Sequence, residues 1–366
     1  MLSKSRTRKA VSISIFSFIL LLTIFNFLPN GFRSVYANFA ATGDWGCSSN
    51  TKNTVKNIIN HGAFRTLGLG DNSYEDTATC WYNIVKPIDG DANSGNSKKI
   101  KITFGNHDVT PSSLLNSYKS HFHFGSDLYY SFDNQEPNGI EHFLVLNSED
   151  PKRSDKNSDQ YKFAKSDLEN AANNPKVKWK IVYVHHPFFS SPNGCSSSSC
   201  KGSKSFTQTY QPLFDQNKVD IALFGHIHNY QRTFPLKFNS ADPLNPTKTS
   251  SAKCDYTNPS GTIYAIVGTG GVNFHSLKSK ASFVSVQQAN RYGQLDLTFN
   301  SDLTKLTGKF FSNEAGTLSG CQPSPNTLDA FTITKTFGAT SMSTADSELQ
   351  SEKGIHTFTS LGDPFA

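Results

Sequence analysis

Five short polar motifs, each closing an apolar run, carry most of the chemistry this sequence offers. They are Gly43-Asp44, Gly70-Asp71-Asn72-Ser73-Tyr74, Gly105-Asn106-His107-Asp108, Val182-Tyr183-Val184-His185 and Gly225-His226-Ile227-His228. Asp, Asn, Tyr and His supply the oxygen and nitrogen donors that hard and borderline cations take. Asp71 and Tyr74 are three apart, so one turn at a strand exit aims both at a single point. His226 and His228 alternate about Ile227, which puts both imidazoles on one side of an extended segment. A phenol titrates near ~10 and binds as phenolate only where a strong Lewis acid holds its pKa down, so Tyr74 points to a trivalent ion, iron above all. Together the motifs read as a two-metal site.

Elements that bring five motifs together are legible from the apolar runs that precede them. β-Branched, apolar runs bounded by turn residues predict strands over 39–42, 65–69, 100–104, 142–146, 180–184, 220–224 and 262–267. Spacing and composition predict helices over 54–61, 161–173 and 206–216, the second capped by Ser158 or Asp159. Strands alternating with helices indicate an α/β sheet, and open α/β sheets gather ligands outside the carboxyl ends of their strands. All five motifs sit at such ends. Beyond residue 273 the runs at 291–300 and 305–312 alternate apolar and polar, as half-buried antiparallel strands do, so the expected sheets are mixed.

The rest of the chain frames this domain. In the 366-residue chain, Lys4, Arg6, Arg8 and Lys9 precede a nearly unbroken apolar stretch over 11–28, and Val35-Tyr36-Ala37 offers small residues for cleavage. Residues 1–37 therefore read as a secretory signal, with an uncleaved membrane anchor as the alternative. That segment holds five basic residues and no acidic one, so without it the formal charge falls from +6 to +1. No basic face is left to argue for nucleic-acid binding. All six cysteines lie beyond the signal, where an oxidising compartment favours pairing. Of the connectivities open to them, Cys195–Cys200 across the Ser-rich loop is the expected bridge. Residues 337–366 turn to Ser, Thr, Gly and acidic types and read as a poorly ordered tail, leaving 38–336 as the catalytic domain.

In these motifs the chain resembles the calcineurin-like metallophosphoesterases and, within them, the purple acid phosphatases, over roughly residues 38–311. In the broader superfamily a metal-binding His follows the first Asp by two residues; here that place is Gly46, and Tyr74 is the substitute ligand of the purple branch. Gly268-Thr269-Gly270-Gly271 and Tyr129-Tyr130-Ser131-Phe132 also look like that family. The resemblance implies a four-layer α/β sandwich, two mixed β-sheets flanked by α-helices. It implies that Asp44, Tyr74 and His228 hold Fe(III), that Asn106, His185 and His226 hold a divalent Zn, Fe(II) or Mn ion, and that Asp71 bridges the two. Two ions about 4 Å apart activate water and clamp an in-line phosphoryl displacement. The implied activity is thus that of a secreted or cell-surface acid phosphatase, hydrolysing small phosphomonoesters through a metal-bound hydroxide without a phosphoenzyme.

The same likeness gives His107 a role at the phosphate or leaving group, with Asp108 orienting it or capping a turn. His186 would bind substrate or, because strand alternation points it away from His185, take a structural or rim position. A downstream His that some members use as a second proton donor has no counterpart in 187–200. His121, His123 and His275 are further histidines that could enter the pocket. The first motif follows the signal almost directly, leaving no room for the N-terminal β-sandwich of larger plant-type members, so a small, single-domain type is expected. A phosphodiesterase or nucleotidase on the same scaffold, and an extracellular metal- or phosphate-binding protein without turnover, stay open as alternatives.

Overall fold

Strand β1 (Asn38–Thr42) shows how the sequence builds layers: Phe39 and Ala41 face one apolar core, Ala40 faces another, and all three are fully buried. Strand β6 (Val177–Tyr183) repeats the pattern, with Trp179, Ile181 and Tyr183 on one side and Val182 on the other. A strand buried on both faces lies between two layers, which is why these runs are continuously apolar. The computed structural model describes residues 37–90, 99–315, 320, 321 and 324–337. The proposed signal up to residue 36, and the tail after residue 337, lie outside the described residues.

The first seven-stranded sheet runs β11 (Asp255–Thr257), β16 (Thr327–Thr334), β15 (Lys305–Ser312), β14 (Gly293–Phe299), β1, β2 (Arg65–Gly68), β3 (Ile100–Ile102). The second runs β13 (Val284–Gln288), β8 (Tyr230–Thr233), β12 (Ile263–Val267), β7 (Ile221–Phe224), β6, β5 (Gly139–Val145), β4 (Tyr130–Glu136). Both are mixed: β1, β2 and β3 are parallel, as are β5, β6, β7 and β12 and the edge pair β11 and β16, while β14 and β15, and β8 with β13, run antiparallel to their neighbours. Short strands β9 (Leu236–Lys237) and β10 (Thr247–Lys248) form a separate ribbon in the segment 235–258, which carries Pro235, Pro243 and Pro246.

The sheets stack face to face on one core, and each outer face is covered by helices. Helices α1 (Ser49–Asn60), α2 (Thr79–Asp89) and α3 (Ser112–Phe122) contribute Ile58, Trp81 and Leu114 to the layer over the first sheet. Helices α4 (Asp159–Asn173) and α5 (Lys204–Gln216) contribute Leu168 and Phe214 over the second. This is the expected four-layer sandwich. Three predicted helices are present and begin earlier than the apolar pattern alone indicates, at the caps Ser48, Ser158 and Ser203, whose side chains accept first-turn amides. Helices α2 and α3 escape a sequence reading because neither has a side-chain cap, and α2 carries Pro87 in its last turn.

Besides Cys195–Cys200, disulfides join Cys47 to Cys80 and Cys254 to Cys321. Among the described residues no helix is long and apolar enough to cross a membrane.

Candidate dinuclear metal centre

At the carboxyl ends of β1, β2, β3, β6 and β7 the chain turns sharply, and several of the turning residues are themselves the polar ones. Asp44, Asp71, Tyr74 and His226 all have left-handed backbones, with φ between 53° and 67°. For residues with a Cβ this costs of order 1–3 kcal/mol each and persists only where the surroundings impose it. The turns bend these side chains back over the sheet edge, where they meet.

Two groups of donor atoms converge there. In the first, the Tyr74 hydroxyl lies 3.1 Å from Asp44 Oδ1, 3.1 Å from Asp71 Oδ2 and 2.9 Å from His228 Nε2. In the second, Asn106 Oδ1 lies 3.0 Å from His226 Nδ1 and 3.3 Å from His185 Nε2, which is itself 3.3 Å from Asp71 Oδ2. Asp71 Oδ2 therefore belongs to both groups. The remaining nitrogen of each ligand-type histidine is engaged: His185 Nδ1 on the Leu69 carbonyl at 2.8 Å, His228 Nδ1 on the Asn273 carbonyl at 2.7 Å, and His226 Nε2 on Ser199 Oγ at 2.7 Å. Such outer contacts fix which ring nitrogen is free for a metal.

Electrostatics favour cations at both points. Asp44 Oδ2 is buried without a hydrogen-bond partner, a cost that a cation removes. Burial, then the charges of Asp44 and Asp71, push the Tyr74 phenol well above its usual range, so the phenolate forms only with a cation at hand. Burial alone would lower the His185 pKa, but the Asp71 carboxylate outweighs it and raises it to about 10. Asp71 is held below the usual carboxylate range, because His185 and His107 outweigh its burial. Burial, then the neighbouring His185 and His186, drive His226 far down, keeping it neutral and available as a donor. The residues thus fit two cations, one among anionic donors and one among neutral ones.

Residues 37–230 match the calcineurin-like phosphoesterase family. The chain belongs to that family. Among relatives, purple acid phosphatase 21 of Arabidopsis thaliana is 29% identical over 223 residues, covering 57% of this chain and 47% of the relative. This chain accordingly spans about half the length of the curated relatives it matches. Of solved structures, a purple acid phosphatase from yellow lupin (Lupinus luteus) seeds superposes with a TM-score of 0.64 at 21% identity, over 82% of this chain and 54% of that one. GAP50, the anchor in the inner membrane complex of Plasmodium, superposes at 0.57 and 16% identity, over 76% of this chain and 84% of that one. One fold thus serves proteins of different description, and any statement about chemistry rests on the site.

Gly46 makes structural sense of the exchange that marks the purple branch of the family. At φ +63°, a Cβ there would lie 2.8 Å from Val272 Cγ1 and 3.9 Å from the Tyr74 ring. A side chain at this place is strained by the left-handed backbone and crowded by Val272, while the Tyr74 ring is at ordinary contact distance.

Around the donors opens a cavity of about 440 Å³, lined in part by His107, Glu149, Arg153, His186, Ser199 and His275. His107 stacks on Tyr74 with ring centroids 4.3 Å apart, and its amide donates to Asp71 Oδ1 at 2.8 Å. Asp108 does not orient His107, which corrects one of the two sequence readings. Its carboxylate is wholly buried and accepts the amides of Asp71 (2.8 Å), Asn72 (2.9 Å) and Gly105 (2.9 Å), together with Asn72 Nδ2 (3.0 Å). It caps the turn that carries Asp71. Burial and the charge of Asp71 push it up to about 7.

His186 does not point away from the site, because β6 ends at Tyr183 and strand alternation stops before it. Its ring packs at a tilt against His226, centroids 4.0 Å apart, and it pairs with Glu149 at 2.7 Å, facing the cavity. His275 also reaches the cavity, stacked on His228 at 4.0 Å. His121 instead pairs with Asp89, and His123 ends α3 as its left-handed cap. Sequence reading missed Glu149, Arg153 and Ser199, which sit on loops without a motif; the Cys195–Cys200 spacing was the one signal for the last.

Proposed function

We propose that this chain is a metal-dependent phosphomonoesterase of purple acid phosphatase type, with Fe(III) held by Asp44, Tyr74, His228 and Asp71. A divalent Zn, Fe(II) or Mn ion is held by Asn106, His185, His226 and the shared Asp71. The observation that carries this is the meeting of both donor groups at Asp71 Oδ2, with a phenol in only one of them. When bound, the two cations supply Lewis acidity toward the phosphate and an activated water.

The chain's own residues do the rest. His107, on the cavity wall beside Asp71, donates to a phosphate oxygen or to the leaving group. His186, which also lines the cavity, contacts bound ester and is kept in place by Glu149 and Ser148. Asp108 acts indirectly, by fixing the Asp71 turn. Residues 38–336 form the catalytic domain. Three disulfides suit an oxidising compartment and support secretion or surface display after removal of residues 1–37.

The test is purified protein loaded with iron and zinc. A visible charge-transfer band that vanishes in Tyr74→Phe, with faster release of phosphate from a simple monoester than from a simple diester, is the expected result. A preference for the diester makes the chain a phosphodiesterase on the same scaffold. Metal binding with no release from either makes it a binding protein.

A further inference from the structure

Three histidines of the site use their second ring nitrogen, and their partners differ in kind. His185 and His228 rest on backbone carbonyls, Leu69 and Asn273, which any side chain at those positions would leave in place. His226 rests on side chains, the Ser199 hydroxyl at 2.7 Å and, more distantly, the disulfide-bonded Cys200 sulfur at 3.7 Å, so this support alone among the three is encoded by residue type.

Ser199 is held rigidly. It lies in a 3-10 turn (Ser198–Lys201) capped by Ser197, inside the ring closed by Cys195–Cys200. The Cys200 carbonyl accepts from Ser190 Oγ at 2.7 Å and from Asn193 Nδ2 at 3.3 Å, and Ser197 Oγ lies 2.5 Å from Ser199 Oγ. The loop is tied to the support of the other His-x-His ligand: Asn193 bridges Leu277, and the Gly194 amide donates to the Ser276 carbonyl at 2.7 Å, beside the 273–275 segment that holds His228. No fold-wide requirement explains a serine at 199, since its neighbour Ser198 is exposed and makes no comparable bond.

We propose that Ser199, pinned by the Cys195–Cys200 disulfide, is a positioning residue for the second cation. Its hydroxyl accepts the Nε2 hydrogen of His226 and passes its own hydrogen to Ser197 Oγ, so the lone pair of Nδ1 is turned toward the point shared with Asn106 and His185. This rests on the reading of Asn106, His185 and His226 as the divalent-ion ligands. Ser199 touches no donor of the ferric group, so its effect is confined to one half of the site.

The experiment is a zinc titration of full-length protein already loaded with iron, followed by competition with a chelator, with the tyrosine-to-iron band recorded throughout. Ser199→Ala is expected to weaken zinc about 10- to 100-fold, the usual effect of an outer-shell partner, with the band unchanged. Ser199→Thr, which keeps the hydroxyl, restores affinity to within a few fold, and Ser198→Ala behaves as the parent. Opening the ring in the Cys195→Ala, Cys200→Ala double variant weakens zinc as Ser199→Ala does. Zinc affinity within twofold of the parent in Ser199→Ala overturns the proposal, as does loss of the iron band together with zinc, which marks a general structural role. A parent protein that binds iron but not zinc fails the underlying reading instead, and the two failures are told apart by that control.

Discussion

The two halves of the proposed metal centre share Asp71 yet are built from opposite chemistry. One gathers Asp44, the Tyr74 phenol and His228; the other gathers an amide and two imidazoles, Asn106, His185 and His226. With Asp71 counted in both, the first half offers three groups that are anionic when bound to metal and the second offers one. A pocket that must neutralise more negative charge selects the ion of higher charge. On the proposed reading, selection between the two cations would need no difference in size, only a difference in donor charge.

Removing donors from one half should leave the other standing. Asn106→Ala and His185→Ala are expected to cut phosphate release at least about 1000-fold, the several kcal/mol that a bound cation supplies, while the visible band of the Tyr74 half persists. Loss of the band in these variants would mean that the halves are not separable. Tyr74→Phe is the converse: the band disappears, and zinc analysis should still find the second ion. Asp108→Asn strikes both halves, since an amide cannot satisfy all the N–H groups converging there; unfolding in urea should show a loss of about 1–3 kcal/mol, with both metals weakened together.

Proton release distinguishes the halves most finely. Without metal, His185 keeps its proton up to about 10 and Tyr74 keeps its proton higher still. A cation in the second half must displace the His185 proton, so its affinity rises about tenfold per pH unit below that value. In the first half the Tyr74 proton is displaced, and the rise continues to higher pH. Calorimetry in buffers of differing ionisation enthalpy counts these protons. The same linkage makes metal-free protein lose stability as pH rises from about 6.5 toward about 10, because His185 is raised on folding: its contribution is full below the unfolded value and is lost by the pH at which the folded protein also releases the proton.

The layered fold was readable where both faces of a strand are buried, as in β1 and β6, because continuous apolar runs have few other homes. Helices α2 and α3 were not, since they lack side-chain caps and owe their helical form to packing on the first sheet. At the site, motif residues at strand ends were readable because each apolar run ends in its own polar residue. Asp108 and His186 show the limit: both are next to ligands in sequence, yet one turns inward to backbone amides and the other outward to the cavity. Local pattern does not settle that choice once the strand has ended.

By itself, then, the sequence determined the candidate donors: their types, their order and their places after apolar runs. Only the tertiary structure decided how they divide. Donor groups form from residues distant in sequence, such as Tyr74 with His228 and Asn106 with His226. It also decided which ring nitrogen each histidine presents, because that depends on partners from other loops, the Leu69 and Asn273 carbonyls and the Ser199 hydroxyl. Residue type fixes what a side chain can bind. The direction in which it binds is set by neighbours that meet only when the sheets have stacked.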